Sequence, residues 1–381
     1  MMRVGISTTP IEKHLTGGKM DGIGVYTENL ISSLDQLASI ETAGFYFPRS
    51  VLDVFSQSKD SPAHPLYLPF AYGSVLSNSL GIHDINRKAI DGVVDIYHAT
   101  DYRIPKLKNT PVVATLYDAI PLKNPEWASA RLRWLKNRVM VNSAKWADHV
   151  ITISNFMVDD IVNYWGVPPE RITVVHCGVS SYWSEKQRTD QISDVKRKYG
   201  IEKPYILFVG TFQPRKNIDR IIQAYKNLPA HTRDEHQLVL VGKEGWRYEQ
   251  LVESIRSLEA AGKCVWVKNA TDQDLRCLYQ GASVFLFPSL SEGFGLPVLE
   301  AFASGVPVIT SKDTALEEVA GDAARLVDPY SVDEMVCAIA EVLSFDDEAT
   351  RRMITKGAER CKKFSWDLAA RQIRDLYMTM I

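Results

Sequence analysis

The sequence predicts an α/β protein with two Rossmann-like domains, each a doubly wound parallel sheet, that face each other across a cleft. With 381 residues, the chain is too long for one ordinary hydrophobic core and fits two α/β domains. In both halves, short apolar runs alternate with helical patterns, which indicates parallel strands covered by helices on both faces. A polar stretch separates the two series. We therefore expect a deep cleft between the halves, which is a preferred place for a ligand.

The N-terminal half is predicted to form the first domain, residues 1–180. Its strand-like runs are short, apolar and bounded by turn residues: 3–8, 45–48, 95–100, 112–118, 149–154 and 172–177. Helical patterns cover 24–38, 129–147 and 155–165. Residues 50–80 are rich in Ser and Pro and are expected to be loop-like.

The C-terminal half alternates more regularly. Its strand-like runs are 205–210, 238–242, 264–268, 284–289, 307–311 and 324–328, with helical patterns between most of them. Residues 204–364 are therefore predicted to form the second domain. The polar segment 181–203 loses strand periodicity and is predicted to be the interdomain linker, and a last helix is expected within 365–381.

The composition is that of a soluble globular enzyme. Hydrophobic residues make up 45% of the chain and charged residues 24%, with a formal net charge of −2. Such a balance disfavours a general nucleic-acid binder, which is usually basic. The five cysteines have no paired spacing for zinc or a redox motif, which indicates reduced thiols in a cytoplasmic protein. The N-terminus has the pattern of a strand rather than of a signal peptide, and no run approaches the roughly 20 apolar residues that span a bilayer.

The segment 288–301 carries two carboxylates eight residues apart. A buried strand precedes it, so Glu292 is predicted on the loop that leaves the strand. Pro297 suits the first turn of a helix, which puts Glu300 about one turn into that helix. Backbone amides at the helix start are then expected to face the crevice at the carboxyl edge of the sheet, where open α/β sheets bind ligands. Carboxylate acceptors beside N–H donors suit a polyhydroxylated ligand; the alternative is a capping segment with solvated glutamates.

A second segment, 208–217, ends a strand and begins a helix near Asn217. Arg215 and Lys216 lie at this junction, where two cations near the positive end of a helix suit a diphosphate. Arginine can bind phosphate oxygens with two parallel hydrogen bonds, whereas lysine acts as a point charge. The alternative is a solvated pair of surface cations.

Glycines after the first strand, within residues 17–26, include Gly22 and Gly24. Glycine lets the backbone approach a ligand closely because it has no side chain, although a plain flexible loop explains the same pattern. No Gly-x-Gly-x-x-Gly joins strand one to helix one, which disfavours a nicotinamide oxidoreductase.

Two strand ends in the first domain carry further candidate residues. His98, and the pair Tyr117 and Asp118, follow strand-like runs and are expected to face the cleft. A structural histidine is an open alternative for His98, and an Asp after a strand is also a common cap or turn residue.

The string Glu292-Gly-Phe-Gly-Leu-Pro-Val-Leu-Glu300 resembles the signature of the family 4 retaining glycosyltransferases. That family has the GT-B fold, two Rossmann-like domains that face a cleft. The resemblance spans most of the chain, and Pro-Arg-Lys-Asn at 214–217 matches the family's donor-phosphate loop. Within the family, the compact length and this loop are similar to bacterial GDP-mannose-dependent mannosyltransferases of O-antigen and surface-polysaccharide assembly.

The resemblance implies transfer of mannose from GDP-mannose to a lipid-linked oligosaccharide in lipopolysaccharide biosynthesis, with the donor as co-substrate and no cofactor. It implies that Arg215 and Lys216 hold the diphosphate and stabilise the leaving group. Glu292 is then expected at the sugar hydroxyls and Glu300 at the ribose. The other donor-binding residues implied are Gly22, Gly24, Gly293, Phe294, Gly295 and Leu296. The last helix of the chain is expected to return to the first domain.

This chain departs from the family pattern in one place. Family members commonly carry His-Asp where it has Tyr117-Asp118, and the family histidine is expected near the donor sugar. Tyr117 offers a hydroxyl, and His98 at a neighbouring strand end is the candidate substitute, so both are predicted acceptor or sugar contacts. Asp118 is the predicted catalytic residue of this region.

No metal is predicted. An Asp-x-Asp motif at a strand end would suggest a cation that bridges the diphosphate, and none directly follows a predicted strand. Arg215 and Lys216 would supply the positive charge instead.

The helical pattern 129–147 is basic, with no acidic residue. Its apolar stripe is formed by Leu132, Leu135, Val139 and Trp146. Such a helix can lie on anionic lipid at the inner face of the membrane, or pack on its sheet with solvated basic edges. We favour packing, because sheet packing requires the same stripe.

Other functions remain compatible with the sequence. The donor could be a UDP- or ADP-sugar. A nucleotide-sugar epimerase also uses two facing Rossmann-like domains, and a non-catalytic module that binds nucleotide-sugars is a third alternative.

Overall fold

The computed structural model describes residues 1–17, 20–50, 63–127, 133–245 and 248–381. The chain divides into two compact units. The first comprises the residues up to Gly178, apart from 127–129, together with Trp366–Ile381; the second is formed mainly by Val179–Ser365.

The first unit is built on a seven-stranded sheet in which every pairing is parallel. Its strands are β1 (Met2–Ser7), β2 (Ile40–Tyr46), β3 (His64–Pro65), β4 (Ile96–Ala99), β5 (Val112–Thr115), β6 (His149–Thr152) and β7 (Ile172–Val174). Their spatial order is β3-β2-β1-β4-β5-β6-β7, so the order reverses between β1 and β4.

Helices lie between most of these strands along the chain. They are α1 (Lys13–Thr16), α2 (Gly22–Leu34), α3 (Phe70–Leu80), α4 (Arg87–Ile90), α5 (Ile120–Lys123), α6 (Arg133–Ala144) and α7 (Val158–Asp160). The six predicted strands and the helix predicted at 24–38 are confirmed, although β2 begins at Ile40 rather than at 45. The helix predicted at 155–165 is composite, since α7 is flanked by a 3-10 turn and a π-helical turn.

The expectation that residues 50–80 are loop-like is wrong for the part that the structure describes. β3 and α3 lie there, while 51–62 fall outside the described residues. The sequence conceals α3 because its buried face consists of small and polar residues, Gly73, Ser74 and Ser77. The segment therefore lacks the continuous apolar face, repeating every three to four residues, that is typical of a helix packed on a core.

The second unit is built on a six-stranded parallel sheet. Its strands are β8 (Tyr205–Val209), β9 (Gln237–Val241), β10 (Cys264–Val267), β11 (Val284–Phe287), β12 (Val308–Ser311) and β13 (Arg325–Val327). All six were predicted from the sequence. Their spatial order, β10-β9-β8-β11-β12-β13, is the order of a Rossmann domain and reverses between β8 and β11.

Nine helices of the described chain belong to this unit: α8 (Thr189–Tyr199), α9 (Ile218–Asn227), α10 (Ala230–Glu235), α11 (Glu249–Ala260), α12 (Asp272–Gln280), α13 (Leu296–Ala303), α14 (Ala315–Ala320), α15 (Val332–Leu343) and α16 (Asp347–Cys361). The central strands β8, β9, β11 and β12 are almost wholly buried, as expected for a parallel sheet with both faces covered.

The loops that leave β8 and β9 lie against each other. A Cβ atom on Gly242 would lie 2.0 Å from the carbonyl oxygen of Gly210, and Gly242 has a φ of +153°. Only glycine permits this approach of two backbones. The contact fixes the start of the loop that carries Arg215 and Lys216.

The segment predicted as the linker, 181–203, is ordered and lies in the second unit. It forms a 3-10 turn and α8, and its start packs on α12. Arg276 donates hydrogen bonds to the Glu185 carboxylate at 2.6 Å and to the Tyr182 carbonyl at 3.0 Å. This mostly buried arginine secures the segment, so the chain passes between the units at Gly178–Val179.

The last helix, α17 (Trp366–Met378), groups with the first unit. The ring of Trp366 meets that of Tyr26 edge-on at 5.6 Å, and the Tyr377 hydroxyl lies 2.6 Å from Nδ1 of His98. Within the described ranges, no helix combines the length and the apolar character needed to cross a bilayer.

Candidate active site

The carboxyl ends of β8 and β11 form the point at which the strand order of the second sheet reverses. Ligands of open α/β sheets bind in the crevice at such a point. The loop after β8 contains Arg215 and Lys216, and the loop after β11 contains Glu292. The sheet topology thus brings the loop with Arg215 and Lys216 and the loop with Glu292 to the same edge of the sheet.

Asn217 joins these loops. Its backbone is left-handed, with φ of +63°, a conformation that Asn tolerates better than most residues. Its side-chain amide donates to the carbonyl of Pro288 at 2.9 Å and to that of Pro329 at 2.6 Å. The sequence placed Asn217 at a helix start and in the string that matches the family's donor-phosphate loop, but its side-chain bonds to Pro288 and Pro329 were not foreseen.

Glu292 binds both cations. Its two carboxylate oxygens accept hydrogen bonds from Nη1 of Arg215 at 2.6 Å and from Nζ of Lys216 at 2.5 Å. The side chains of Lys216 and Glu292 are about nine-tenths buried, while Arg215 is 23% exposed. The Lys216 ammonium also lies 4.8 Å from the centroid of the Phe287 ring. The three residues form one cluster of two cations and one carboxylate.

The electrostatics of this cluster keep Glu292 ionised. Burial alone would raise the pKa of its carboxyl, but the charges of Arg215 and Lys216 outweigh burial and hold that pKa at about 2. The cluster therefore has one excess positive charge at neutral pH, in a crevice where an anionic ligand can reach Arg215.

Helix α13 starts at the end of the same loop. Gly295 precedes it with a φ of +136°, and a Cβ atom there would lie 2.6 Å from Cδ2 of Leu316. Phe294 is buried, with its ring edge-on to Phe364 at 5.6 Å. The loop is thus fixed from Gly293 to Leu296. In the first turn of α13, Pro297 has no N–H, and the amides of Val298 and Leu299 donate to the Gly295 carbonyl at 3.0 and 3.4 Å.

Glu300 lies one turn into α13 and has a different environment. The Tyr279 hydroxyl donates to its carboxylate at 3.1 Å. Burial raises the pKa of Glu300 to about 7, although the hydrogen bond from Tyr279 lowers it. The two glutamates of one motif therefore differ in charge near neutral pH. Tyr279, on α12, was not identified from the sequence because nothing local links it to Glu300.

Asp118 has the turn role that the sequence left open. One of its carboxylate oxygens accepts from the backbone N–H of Ile120 at 3.0 Å, and its carbonyl accepts from Nε1 of Trp165 at 3.0 Å. The residue is half-buried at the carboxyl end of β5. These bonds orient Asp118 within the first unit.

The predicted ligand contacts of His98 and Tyr117 are not supported by their surroundings. His98 is fully buried, and its ring nitrogens lie 2.6 Å from the Tyr377 hydroxyl and 2.8 Å from the Thr115 hydroxyl. Burial lowers the pKa of His98 to about 3. The Tyr117 hydroxyl is buried and donates to the Thr100 carbonyl at 2.5 Å. Both side chains hold the first unit together, His98 by securing α17.

The predicted glycine-rich loop is partly a helix. Gly22 and Gly24 lie in the first turn of α2, and the Asp21 carboxylate caps that turn by accepting from the N–H groups of Ile23 and Gly24 at 3.1 and 3.0 Å. The Gly24 amide is therefore engaged at the start of the helix, and the donor contact predicted for Gly22 and Gly24 stays a prediction. Residues 18 and 19 fall outside the described residues.

The basic helix predicted at 129–147 is observed as α6, with 128–132 outside the described residues. Met140, Val141 and Trp146 pack against the hydrophobic core of the first unit, and Ala144 is buried within it. Val139 is half-buried, and nothing is described for the side chains of Leu132 and Leu135. The second half of this helix thus packs on its sheet, as favoured from the sequence.

Two such Rossmann-like units in one chain make this a protein of the GT-B class. A solved structure shares the fold: sucrose-phosphate synthase from Thermosynechococcus elongatus superposes with a TM-score of 0.75, covering 100% of this chain and 99% of that one at 19% identity.

Sequence comparison identifies the family. Residues 191–360 match the family described as "Glycosyl transferases group 1", and residues 20–181 match "Glycosyltransferase Family 4". The chain is 31% identical over 388 residues to O-antigen chain mannosyltransferase B of Escherichia coli, covering 99% of each. It is 29% identical over 279 residues to the serotype-specific mannosyltransferase WbdA of Escherichia coli, covering 71% of this chain and 34% of that longer protein. The chain belongs to the family 4 glycosyltransferases and is a glycosyltransferase.

Proposed function

We propose that this glycosyltransferase transfers mannose from GDP-mannose to a lipid-linked oligosaccharide, with retention of configuration, during O-antigen and lipopolysaccharide biosynthesis. The observation that carries the proposal is the match to O-antigen chain mannosyltransferase B over 99% of both chains. The reaction takes place on the cytoplasmic side, at the inner face of the membrane where a lipid-linked acceptor is held.

The donor diphosphate binds at the cluster of Arg215, Lys216 and Glu292. Both cations lie at the switch point of the second sheet and stabilise the charge that develops on the departing diphosphate. The backbone N–H groups of Gly295 and Leu296, which lead into α13, are proposed to donate to the donor beside them. Glu292 accepts hydrogen bonds from the sugar hydroxyls, and Glu300 accepts from the ribose.

Donor binding must rearrange the ion pairs of Glu292. Its carboxylate oxygens lie 2.6 Å from Nη1 of Arg215 and 2.5 Å from Nζ of Lys216, and a diphosphate would need the same two nitrogen atoms. A donor replaces that carboxylate as the partner of Arg215 and Lys216, and Glu292 then becomes available to sugar hydroxyls. The Glu292 carboxylate therefore orients Arg215 and Lys216 before the donor binds, and orients the donor sugar afterwards.

The reaction is proposed to need no metal ion and no cofactor, because Arg215 and Lys216 supply positive charge at the diphosphate. Among the described residues, no group of three His, Cys, Asp or Glu side chains is arranged to hold a metal. Transfer is expected to continue in the presence of a chelator. In the first unit, Asp118 remains our candidate for a substrate contact because it is half-exposed at a strand end.

Incubation with radiolabelled GDP-mannose and a lipid-linked oligosaccharide tests the proposal, with UDP- and ADP-sugars in parallel. Label in the lipid fraction, with an α-linkage as in the donor, supports it. Transfer from a UDP- or ADP-sugar only would reassign the donor. An altered free nucleotide-sugar would indicate an epimerase, and binding without turnover would indicate a non-catalytic module.

The affinity for GDP-mannose is expected to rise roughly tenfold between pH 6 and pH 8, because ionised Glu300 makes stronger, charge-assisted hydrogen bonds to the ribose. Its pKa of about 7 places the change in this window. The pKa of Glu300 is higher in the folded protein than in the unfolded chain. Protonated Glu300 therefore adds to the free energy of unfolding at low pH, and this contribution is lost as the pH rises through about 7. Calorimetric titration at several pH values measures the affinity. Glu300→Gln should bind more weakly and without this dependence, and an unchanged pH profile in that variant would contradict the assignment.

A further inference from the structure

Helix α3 has an unusual buried face. Gly73, Ser74 and Ser77 lie on it, and a Cβ atom on Gly73 would lie 2.7 Å from a carboxylate oxygen of Asp84. A larger side chain at Gly73 would therefore displace the buried Asp84. The middle of the face that packs on the first unit is small and polar. Phe70, at the start of α3, packs edge-on against Phe47 in the core, and other apolar side chains of α3 lie on a different face.

Those apolar side chains are exposed. Tyr72, Val75 and Leu76 follow the i, i+3, i+4 spacing of one helical face, and Tyr72 is 60% exposed. Ile82, just after the helix, is 50% exposed. We call these four residues the α3 face. Residues 65–82 contain no Asp, Glu, Lys or Arg, in a chain in which these types make up 24%.

A basic helix packs against α3. This helix, α6, contains no acidic residue. Its Lys136 and Arg138 are exposed. Trp134 is 73% exposed, with the Arg138 guanidinium 5.9 Å from its ring centroid. Tyrosine and tryptophan favour the interfacial region of membranes, and basic side chains are attracted to anionic headgroups.

The acidic residues near α3 do not offset this charge. Burial raises the pKa of Asp84, which lies under the helix, and Asp91 lies 3.8 Å from the guanidinium of Arg87. The same face of a second copy of the chain would offer these basic side chains no complementary charge, because residues 65–82 contain no acidic residue. An anionic bilayer instead complements both the apolar face and the basic side chains.

We propose that the α3 face is the surface by which this protein lies on an anionic lipid bilayer, with Trp134, Lys136 and Arg138 of α6 at the headgroups. The apolar contact is supplied by α3, whereas the apolar side of α6 is used in the core of the first unit. Binding to lipid is a property of the first unit and does not depend on the donor site.

Flotation with lipid vesicles tests the proposal with the full-length protein. Vesicles of equal parts phosphatidylglycerol and phosphatidylcholine are compared with vesicles of phosphatidylcholine alone. The test variant carries Tyr72→Ser, Val75→Ser and Leu76→Ser. The matched control carries Tyr164→Ser, Met378→Ser and Ile381→Ser, which replace exposed apolar side chains elsewhere in the first unit.

We expect the wild-type protein and the control to bind the anionic vesicles, and the α3 variant to bind at least about tenfold more weakly at an unchanged melting temperature. Binding should weaken on addition of salt and in a Lys136→Gln, Arg138→Gln variant. Equal binding by the α3 variant and the wild type, or no binding of the wild type to anionic vesicles, would overturn the proposal. It would also be overturned by a wild-type dimer in sedimentation that the α3 substitutions dissociate.

Discussion

Replacing Lys216 by alanine is expected to lower the rate of sugar transfer by about 10²–10³-fold, the usual cost of removing one preorganised group that stabilises developing charge. The Lys216 ammonium is nearly buried and lies at the point where the sheet order reverses. Solvent cannot replace the stabilisation that this ammonium gives to the negative charge of the leaving diphosphate. Initial rates with GDP-mannose and a lipid-linked acceptor measure the effect.

The fold should survive this substitution, because Arg215 still pairs with the buried Glu292. An unpaired buried charge would cost about 3–5 kcal/mol, and the loss expected here is smaller. Lys356→Ala is the matched control, since it removes a lysine from an exposed pair with Asp322 in the same unit and should leave transfer unchanged. Near-normal transfer in Lys216→Ala would remove Lys216 from the donor site.

Glu292→Gln is expected to separate binding from turnover. The glutamine has the shape of the glutamate but no charge, so it competes less with a diphosphate for Arg215 and Lys216. Two charges about 4 Å apart at an effective dielectric constant of about 20 interact by about 4 kcal/mol. If removal of the Glu292 charge makes the free energy of GDP binding more favourable by about 1.4 kcal/mol, GDP binds roughly tenfold more tightly. Transfer should nevertheless slow by about 10²-fold, because a carboxylate acceptor for the sugar hydroxyls is lost.

Calorimetry with GDP and initial rates with GDP-mannose give the two quantities. Glu334→Gln provides the control, because Glu334 pairs with Lys312 on the exposed surface of the same unit. If GDP bound Glu292→Gln more weakly than the wild type, the main role of Glu292 would be to hold the two cations in place rather than to compete with the diphosphate.

The sequence predicted the second unit well because its signals are local. Strands such as β8 and β11 are short apolar runs that must be buried on both faces, and their order along the chain determines a parallel sheet. The two motifs, Arg215-Lys216 and Glu292 to Glu300, follow those strands directly. The two motifs lie close together because β8 and β11 are neighbours in the sheet, although the direct ion pairs of Glu292 with both cations were not foreseen.

The first unit was predicted less completely because its candidate residues depend on distant partners. His98 is held by Tyr377, from a helix at the other end of the sequence, so its structural role cannot be seen in its neighbours. Tyr117 donates to Thr100 on another strand end. Apart from Phe70 at its start, helix α3 has small residues on its buried face and apolar residues on its exposed face, so hydrophobic periodicity does not reveal it.

The central claim is that Arg215 and Lys216 bind the diphosphate of the donor, and calorimetric titration with GDP and GMP tests it most directly. The account predicts that the wild-type protein binds GDP more tightly than GMP and that this preference disappears in a variant with both Arg215→Ala and Lys216→Ala. An unchanged preference for GDP in that variant would contradict it.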